Sequence, residues 1–215
     1  MPSAGIEPAH PPPEGGALSP ELRGRDKRVV RELYRYCQDR AVANSSEIAY
    51  FATGCFWGAE RRFWNLPGVL DTNVGYMGGT VENPTYEMVC TGKTGHAETV
   101  RVTFNPTEIS YQRLLVEFWT MHDPTSLNRQ GGDIGSQYRS AIFTSSMNQF
   151  EVAFISELKY QGALSASGLD EIVTEIESAD GYTYWPAEEY HQRYLEKNPN
   201  GYDCHSSTGI AFPNS

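Results

Sequence analysis

Residues 49–60 read AYFATGCFWGAE and place Cys55 between a glycine and two large aromatic residues. The composition of residues 47–53, EIAYFAT, predicts a strand, and the apolar spacing of residues 55–64, CFWGAERRFW, predicts a helix. The strand therefore passes into the helix at Cys55. A cysteine at such a junction is a core residue, a metal ligand or a nucleophile, and the rest of the chain has to decide between these roles.

Strands and helices alternate along the rest of the chain. β-branched and aromatic residues mark the strands, and apolar residues at helical spacing mark the helices. The predicted elements are strands at 98–104, 139–145 and 172–179 and helices at 110–122, 146–162 and 186–198. Interleaving of this kind predicts an α+β fold, a two-layer α/β sandwich in which helices cover a mixed sheet.

The chain divides into four segments. Residues 1–24 are rich in Pro, Gly and Ala and are predicted to be disordered. Residues 25–45 are predicted to form a short amphipathic helix and a linker. Residues 46–200 carry the alternating elements and form the expected domain, while residues 201–215 have turn signals without periodicity and are expected to be a mobile tail.

Three polar, glycine-rich loops interrupt the domain, at residues 73–79, 83–98 and 122–140. Loops of this length inside a compact domain are usually functional or disordered. These loops carry Tyr, Glu, Asp and His, whose side chains donate hydrogen bonds and transfer protons. We therefore expect functional groups in them.

Charge and hydropathy exclude several classes of function. The chain has 17 basic and 27 acidic side chains, a net charge of -10, so it lacks the basic face that a nucleic-acid partner requires. No apolar run approaches the roughly 18 residues of a membrane span. The N-terminus, MPSAGIEPAHPPPEGG, has the layout of neither a secretory signal nor a transit peptide. We expect a cytoplasmic protein.

The four cysteines are far apart and no two have C-x-x-C spacing, which argues against a disulfide framework, a zinc knuckle or a thioredoxin-type motif. They are Cys37, Cys55, Cys90 and Cys204. Cys37 lies on the apolar face of its predicted helix, and both Cys37 and Cys90 are interpreted as structural. Cys55 differs, because the N–H groups and dipole of a helix N-terminus stabilise a thiolate. With Gly54 and Gly58 leaving room for a ligand or for close backbone approach, a nucleophile is favoured there.

A nucleophile of this kind needs an acid, a base or hydrogen-bond donors near it. The polar loops offer Tyr86, Glu98, Asp133 and Tyr138, and spacing alone does not separate a catalytic role from a solvated one. His96 supports a second hypothesis, a cysteine hydrolase or acyltransferase that pairs it with Cys55. The histidines lack metal-ligand spacing, so neither a metal nor an organic cofactor is expected.

Five segments together closely resemble the A-type peptide methionine sulfoxide reductases. They are GCFWGAE, GYMGG, NPTYEMVCTGKTGHAETVRVTFNP, FWTMHDPTSLNRQGGDIGSQYRSAIF and AEEYHQRYLEKNPNGY. They follow one another in the family's order from Ile48 to Tyr202, which is most of the chain. The resemblance implies the family's α+β fold with a ferredoxin-like core.

The resemblance also implies a role for each candidate. Cys55 would be the nucleophile that attacks the sulfur of a methionine S-sulfoxide. Protonated Glu98 and the hydroxyl groups of Tyr86 and Tyr138 would bind and acidify the sulfoxide oxygen. A buried carboxyl near aromatic rings can remain an acid at neutral pH, so this role is physically coherent. Asp133 would support the polar side of the site.

By the same resemblance, Phe56 and Trp57 would form an apolar pocket for the ε-methyl group of the substrate. Because a chiral sulfoxide presents its methyl group, oxygen and chain in a fixed order, such a pocket accepts one epimer. Reaction would leave Cys55 as a sulfenic acid, and Cys204 in the tail would convert it to a disulfide. Thioredoxin, or another dithiol, would then reduce the Cys55–Cys204 disulfide.

The expected function is that of a monomeric, thioredoxin-linked enzyme that repairs oxidised methionine in proteins and also reduces free methionine sulfoxide. Two alternatives make different predictions. A hydrolase using Cys55 and His96 would turn over without a dithiol. A regulatory domain that only binds methionine sulfoxide would keep its function after Cys55→Ser.

Overall fold

The computed structural model describes residues 46–203 and 206–213. The predictions for residues 1–45, namely a disordered extension and a short helix that carries Cys37, lie outside the described residues. Cys204 lies outside them as well. The segment predicted to form the domain, residues 46–200, falls entirely within them.

Strands and helices alternate through the described residues. The strands are β1 (Glu47–Thr53), β2 (Val69–Met77), β3 (Ala97–Phe104), β4 (Arg129–Gln130), β5 (Asp133–Ile134), β6 (Ser140–Thr144), β7 (Glu175–Ser178) and β8 (Trp185–Pro186). The α-helices are α1 (Phe56–Trp64), α2 (Tyr86–Cys90), α3 (Tyr111–Met121), α4 (Met147–Ala166) and α5 (Tyr194–Lys197). Two 3-10 turns lie at Ser136–Tyr138 and Ala179–Gly181.

Six strands form one mixed sheet in the order β7-β6-β1-β3-β2-β8. All neighbours are antiparallel except β6 and β7, which are parallel. In the middle of the sheet, Phe51 of β1 lies opposite Val100 of β3 and Ile142 of β6. Strands β4 and β5 pair separately in the loop before β6. The α+β class with a mixed sheet and covering helices is confirmed.

Aromatic packing holds helix α1 in place between β1 and α3. The ring of Phe51 stacks on that of Phe63, with centroids 4.9 Å apart, and lies 5.5 Å from the ring of Phe118. All three side chains are fully buried. Burying aromatic side chains of this size is among the largest favourable contributions in a core. The start of α1, where Cys55 lies, is therefore fixed by well-packed structure.

Strand β2 was missed by the sequence prediction, which placed a loop at residues 73–79. Asn73 and Gly75 disfavour a strand, yet the chain from Val69 to Met77 pairs with β3 along its length. Gly75 is needed there, because a Cβ atom at that position would lie 2.4 Å from the carbonyl oxygen of Trp185 in β8. Close approach of a neighbouring strand therefore explains the glycine.

The last predicted helix is wrong over most of its length. Only Tyr194–Lys197 is helical, and the preceding residues form turns that end at Arg193, whose φ is 52°. The Glu60 carboxylate accepts a hydrogen bond from Arg193 N at 2.9 Å. The Gln192 amide accepts from Val74 N and donates to Val74 O. These buried bonds hold the segment in turns and override its helical pattern.

The helix predicted at residues 146–162 begins as expected, with Ser146 as its N-cap, but continues beyond Gly162 to Ala166. After the undescribed pair at 204–205, residues 206–213 lie against this helix, α4. The Tyr160 hydroxyl donates to Ile210 O at 2.9 Å, and the Phe212 ring stacks on that of Tyr160. None of the helices in the described part of the chain is both long and apolar enough to cross a membrane.

Candidate active site

A cavity of about 100 Å³ opens beside the start of α1. Its lining residues are Cys55, Phe56, Trp57, Tyr86, Glu98, Asp133, Tyr138 and Tyr202. The structure therefore brings the candidates from the sequence together at one place, apart from Cys204, which lies outside the described residues.

Cys55 occupies the N-cap position of α1 and is 5% exposed. The chain enters this position through Gly54, whose φ is +95°. A Cβ atom on Gly54 would lie 2.6 Å from the side chain of Gln130. Of the two roles considered for Gly54, the structure therefore supports close packing, here against the β4 loop.

Glu98 lies near the start of β3 and is 2% exposed. Its Oε2 accepts a hydrogen bond from Phe56 N, 3.1 Å away, so the carboxyl group meets the first amide of α1. The pKa of Glu98 is raised to about 8, chiefly by burial; the Phe56 hydrogen bond opposes the shift, and nearby Asp133 adds to it. At neutral pH the carboxyl group is therefore mostly protonated and can donate a proton beside Cys55.

Two tyrosine hydroxyls face the same cavity. Tyr86 begins α2, which Thr85 caps by accepting from Met88 N, and Tyr138 ends the 3-10 turn before β6. Burial raises the pKa of both phenols well above the usual range, so both hydroxyls remain protonated donors. The exposed Cys90 thiol, one helical turn later, adds to the rise in the pKa of Tyr86.

Asp133 and Tyr202 close the side of the cavity opposite the helix. The Tyr202 hydroxyl donates to Asp133 Oδ1 at 3.1 Å. Sequence reasoning did not select Tyr202 as a site residue, although it ends the last of the five family-like segments. The available signal was its place at the end of that segment. A family-like segment that continues as far as Tyr202 indicates that the structure of the domain also continues to that residue.

The apolar wall consists of Phe56 and Trp57. Phe56 is 1% exposed, whereas Trp57 is half-buried and its ring stacks on Tyr194 of α5 at a centroid distance of 3.9 Å. Phe56 is held by the hydrophobic core, and Trp57 is held by Tyr194 of α5. One wall of the cavity is therefore apolar, and the other carries hydroxyl and carboxyl groups.

His96 does not line the cavity. Its Nδ1 accepts from Gly79 N at 3.1 Å, and its Nε2 lies 2.8 Å from Val81 O. Both ring nitrogens therefore bond the backbone of the loop after β2, and neither is available to a thiol. The structure does not favour the hydrolase hypothesis, because its proposed base is a loop anchor.

Among residues 46–203 and 206–213, no group of three or more His, Cys, Asp or Glu side chains is placed to hold a metal ion. What the cavity offers is a thiol, a protonated carboxyl group and two phenolic donors within reach of one small group. This set can attack an electrophilic atom and protonate the atom that leaves it.

The sequence profile of the family described as "Peptide methionine sulfoxide reductase" matches residues 47–212. The chain belongs to this family. Its relatives named "Peptide methionine sulfoxide reductase MsrA" include one from Vibrio parahaemolyticus, 54% identical over 93% of this chain and 95% of the relative. Another, from Streptomyces griseus, is 56% identical over 78% of this chain and 75% of the relative. These matches confirm the resemblance to the A type, and with it an oxidoreductase.

Two solved structures agree with this assignment. Methionine sulfoxide reductase A of Corynebacterium diphtheriae superposes with a TM-score of 0.70 at 45% identity, covering 80% of this chain and 85% of that chain. Mxr1 from Saccharomyces cerevisiae in reduced form gives a TM-score of 0.66 at 37% identity, covering 75% and 92%. The reductase fold therefore extends over the whole region that carries the cavity.

Proposed function

We propose that this reductase converts methionine-S-sulfoxide, in proteins and as the free amino acid, to methionine. The observation that carries the proposal is the placement of Glu98, an acid with a pKa of about 8, at the amide next to Cys55. A sulfoxide oxygen leaves only when it is protonated, and Glu98 can supply that proton at neutral pH.

In the first step the Cys55 thiolate attacks the sulfoxide sulfur. The oxygen accepts a proton from Glu98 and is transferred to the Cys55 sulfur, giving methionine and a cysteine sulfenic acid. The substrate sulfur gains two electrons and the cysteine sulfur loses two. Tyr86 and Tyr138 donate hydrogen bonds to the oxygen as negative charge develops on it.

The S epimer is selected by two unlike walls. Phe56 and Trp57 receive the ε-methyl group, while the hydroxyls of Tyr86 and Tyr138 receive the oxygen. The other epimer would place its methyl group against these donors, or its oxygen against the rings, and would leave polar groups unpaired.

In the second step a thiol of Cys204 attacks the Cys55 sulfenic acid and releases water, forming a disulfide. Support comes from the residues just before Cys204. Tyr202 bonds Asp133 in the cavity wall, and Asp203 forms an ion pair with Arg61 of α1. The described chain before residue 204 is thus attached to the cavity wall and to α1.

A dithiol then reduces the disulfide, and we propose thioredoxin as its source. A cycle that consumes dithiols suits the cytoplasm, where thiols are kept reduced. The protein is proposed to act there as a monomer. Light scattering would test the monomer, and fractionation of the cells that make the protein would test the location.

Reduction of each epimer of a methionine sulfoxide peptide, with thioredoxin or dithiothreitol, tests the function. We expect one methionine per dithiol consumed, from the S epimer alone, and none from Cys55→Ser. Cys204→Ser should release one methionine in a single turnover but fail to cycle with thioredoxin. Cys37→Ser, which removes a thiol given no role, is the matched control.

The alternatives give distinct results in the same assay. Turnover that consumes no dithiol would support a hydrolase. Sulfoxide binding that survives in Cys55→Ser without any reduction by the wild type would support a binding domain. Normal cycling of Cys204→Ser with thioredoxin would transfer the resolving role to Cys37 or Cys90.

A further inference from the structure

The indole of Trp57 is held from behind by a histidine that does not line the cavity. Trp57 Nε1 donates a hydrogen bond to His191 Nδ1 at 3.1 Å, and His191 is 1% exposed. Because Nδ1 accepts this bond, it carries no proton, and a neutral His191 has its ring proton on Nε2. The orientation of the indole therefore depends on the protonation state of a buried ring.

The same imidazole packs against other residues of the cavity wall. Its centroid lies 5.2 Å from that of Phe56 and 4.6 Å from that of Tyr86. Tyr190 covers its outer side at 4.1 Å. His191 thus contacts both apolar residues that receive the methyl group and one of the two phenols that receive the oxygen.

Glu188, one turn earlier, holds Tyr86 through its backbone. Glu188 Oε1 accepts from Tyr86 N at 2.9 Å, and Oε2 accepts from the Tyr76 hydroxyl at 2.8 Å. His191 Nε2 lies 3.9 Å from Glu188 Oε2, beyond hydrogen-bond distance, and has no hydrogen-bond partner among the described residues. Residues 188–191 therefore support both Trp57 and Tyr86, and the ring atom His191 Nε2 remains without a hydrogen bond among the described residues.

We propose that His191 is a positioning residue of the reductase, whose neutral ring holds the Trp57 indole in the orientation that binds the substrate methyl group. A second ring proton would have to sit on Nδ1, facing the indole N–H, so protonation breaks the bond and releases the indole. The proposal rests on the proposed function, since it concerns the affinity of that same pocket for a methyl sulfoxide.

The groups that face His191 keep its ring neutral at physiological pH. Burial lowers its pKa below the usual 6.5, while the carboxylates of Glu188 and Glu87 oppose that shift. Tyr86 and Tyr190, which touch the ring, have pKa values raised chiefly by burial and stay uncharged. The ring therefore protonates only at a pH below 6.5, lower than the pH at which Glu98 ionises.

Two substitutions separate the hydrogen bond from the packing. In His191→Asn the side-chain oxygen can take the place of Nδ1 as acceptor, and it does not titrate. In His191→Leu the volume is largely kept but the acceptor is lost. A single neutral hydrogen bond is worth about 1 kcal/mol, which corresponds to a change in binding of roughly fivefold.

The experiment measures KM and the single-turnover rate for a methionine-S-sulfoxide peptide between pH 5 and 8, with dithiothreitol as reductant. For the wild type we expect KM to rise about three- to tenfold as the pH falls through the pKa of His191, which burial places below the usual 6.5. His191→Leu should show the raised KM at every pH. His191→Asn should keep the low KM and lose its rise in acid.

Three results would overturn the proposal. The first is a KM in His191→Leu equal to that of the wild type, and the second is a rise of KM in acid that persists in His191→Asn. The third is that His191→Leu raises KM as much in the Trp57→Phe variant as it does in the wild type. A merely structural role would lower the melting temperature of both variants without changing the pH profile of KM. If the wild type failed to reduce the peptide at all, the proposed function would fail instead, which is a different outcome.

Discussion

Glu98 is an acid because the fold gives its carboxylate few ways to be solvated. The side chain is nearly fully buried between β3 and the start of α1, and one backbone N–H is the hydrogen bond that favours its charged form. Removing water outweighs that bond, and the pKa rises to about 8. The group that must deliver a proton is thus kept protonated where it is needed.

This acid predicts the alkaline limit of the reaction. The single-turnover rate of methionine release should be level up to about pH 8 and then fall, by about tenfold for each further pH unit, as Glu98 loses its proton. Glu98→Gln keeps the shape but cannot give up a proton, so its rate should be low and independent of pH across this range. A Glu98→Gln rate equal to that of the wild type at pH 7 would rule out the acid role.

The two phenols predict a second, separate loss. Tyr86→Phe and Tyr138→Phe each remove one donor to the developing charge and should each slow the single turnover by about 100-fold, as with other oxyanion donors. Because each ring remains in place, KM should change much less than the rate. Rapid quenching of one turnover measures both quantities, and a rate loss below about threefold in both variants would contradict this role.

At the level of elements, the junction of β1 and α1 could be predicted from the sequence because its local sequence signals agree. Strand composition, a glycine and helical spacing all change at Cys55, and local preferences of this kind survive in the fold. The turns before α5 could not be predicted from the sequence. The residues from Glu188 to Arg193 have a helical pattern, but buried bonds to Glu60 and Val74 decide their conformation, and such distant partners leave no local signal.

Helix α4 provides a prediction of its own. It runs through Gly162, which has no other atoms within 4 Å of the position a Cβ would take. Gly162→Ala should therefore stabilise the protein by about 0.5–1 kcal/mol, because alanine loses less backbone freedom in a helix. That corresponds to a rise in melting temperature of roughly 1–4 °C, measurable by calorimetry.

Gly54→Ala is the matched control for that helix. The same added methyl group would there meet Gln130 at 2.6 Å, on backbone with φ +95°, and should destabilise the protein. A melting temperature that is unchanged or lower in Gly162→Ala would contradict the view that Gly162 lies in open space and weakens α4.

At the scale of the whole molecule, the cavity is assembled from parts of the chain that lie far apart in sequence. Cys55, Glu98, Tyr138 and Tyr202 come from α1, β3, the turn before β6 and the end of the domain. Cys55, Glu98 and Tyr138 could be selected one by one from the sequence, whereas Tyr202 was not, and their grouping could be expected only from the family resemblance. Spacing alone contains no information about which loops meet, since the sheet order and the turns before α5 bring them together.

The C-terminal segment is attached on both sides of Cys204. Before it, Asp203 pairs with Arg61 of α1; after it, Thr208 and Ile210 bond the Tyr160 hydroxyl of α4. Two attachments leave only a short span of chain between them. On the proposed mechanism, such a span would raise the effective concentration of the residue-204 thiol at Cys55 and speed the intramolecular disulfide.

Loosening the second attachment should therefore slow recycling without affecting reduction of the sulfoxide. Tyr160→Phe removes both hydrogen bonds to the tail but keeps the ring that stacks on Phe212. We expect single-turnover methionine release to be unchanged, while steady turnover with thioredoxin falls several-fold. Hydrogen exchange of the backbone amides of residues 206–213 should be faster in Tyr160→Phe than in the wild type.

Tyr182→Phe is the control, because it also removes one buried phenol bond, to Glu177, but at the far edge of the sheet. It should leave both rates unchanged. Equal thioredoxin-dependent turnover in Tyr160→Phe would mean that the tail attachment has no effect on recycling. Faster turnover would mean that it opposes recycling, since release of the tail would then be the step that brings the second thiol to Cys55. The sign of the change thus decides whether the attachment of residues 206–213 to α4 promotes or restrains disulfide formation.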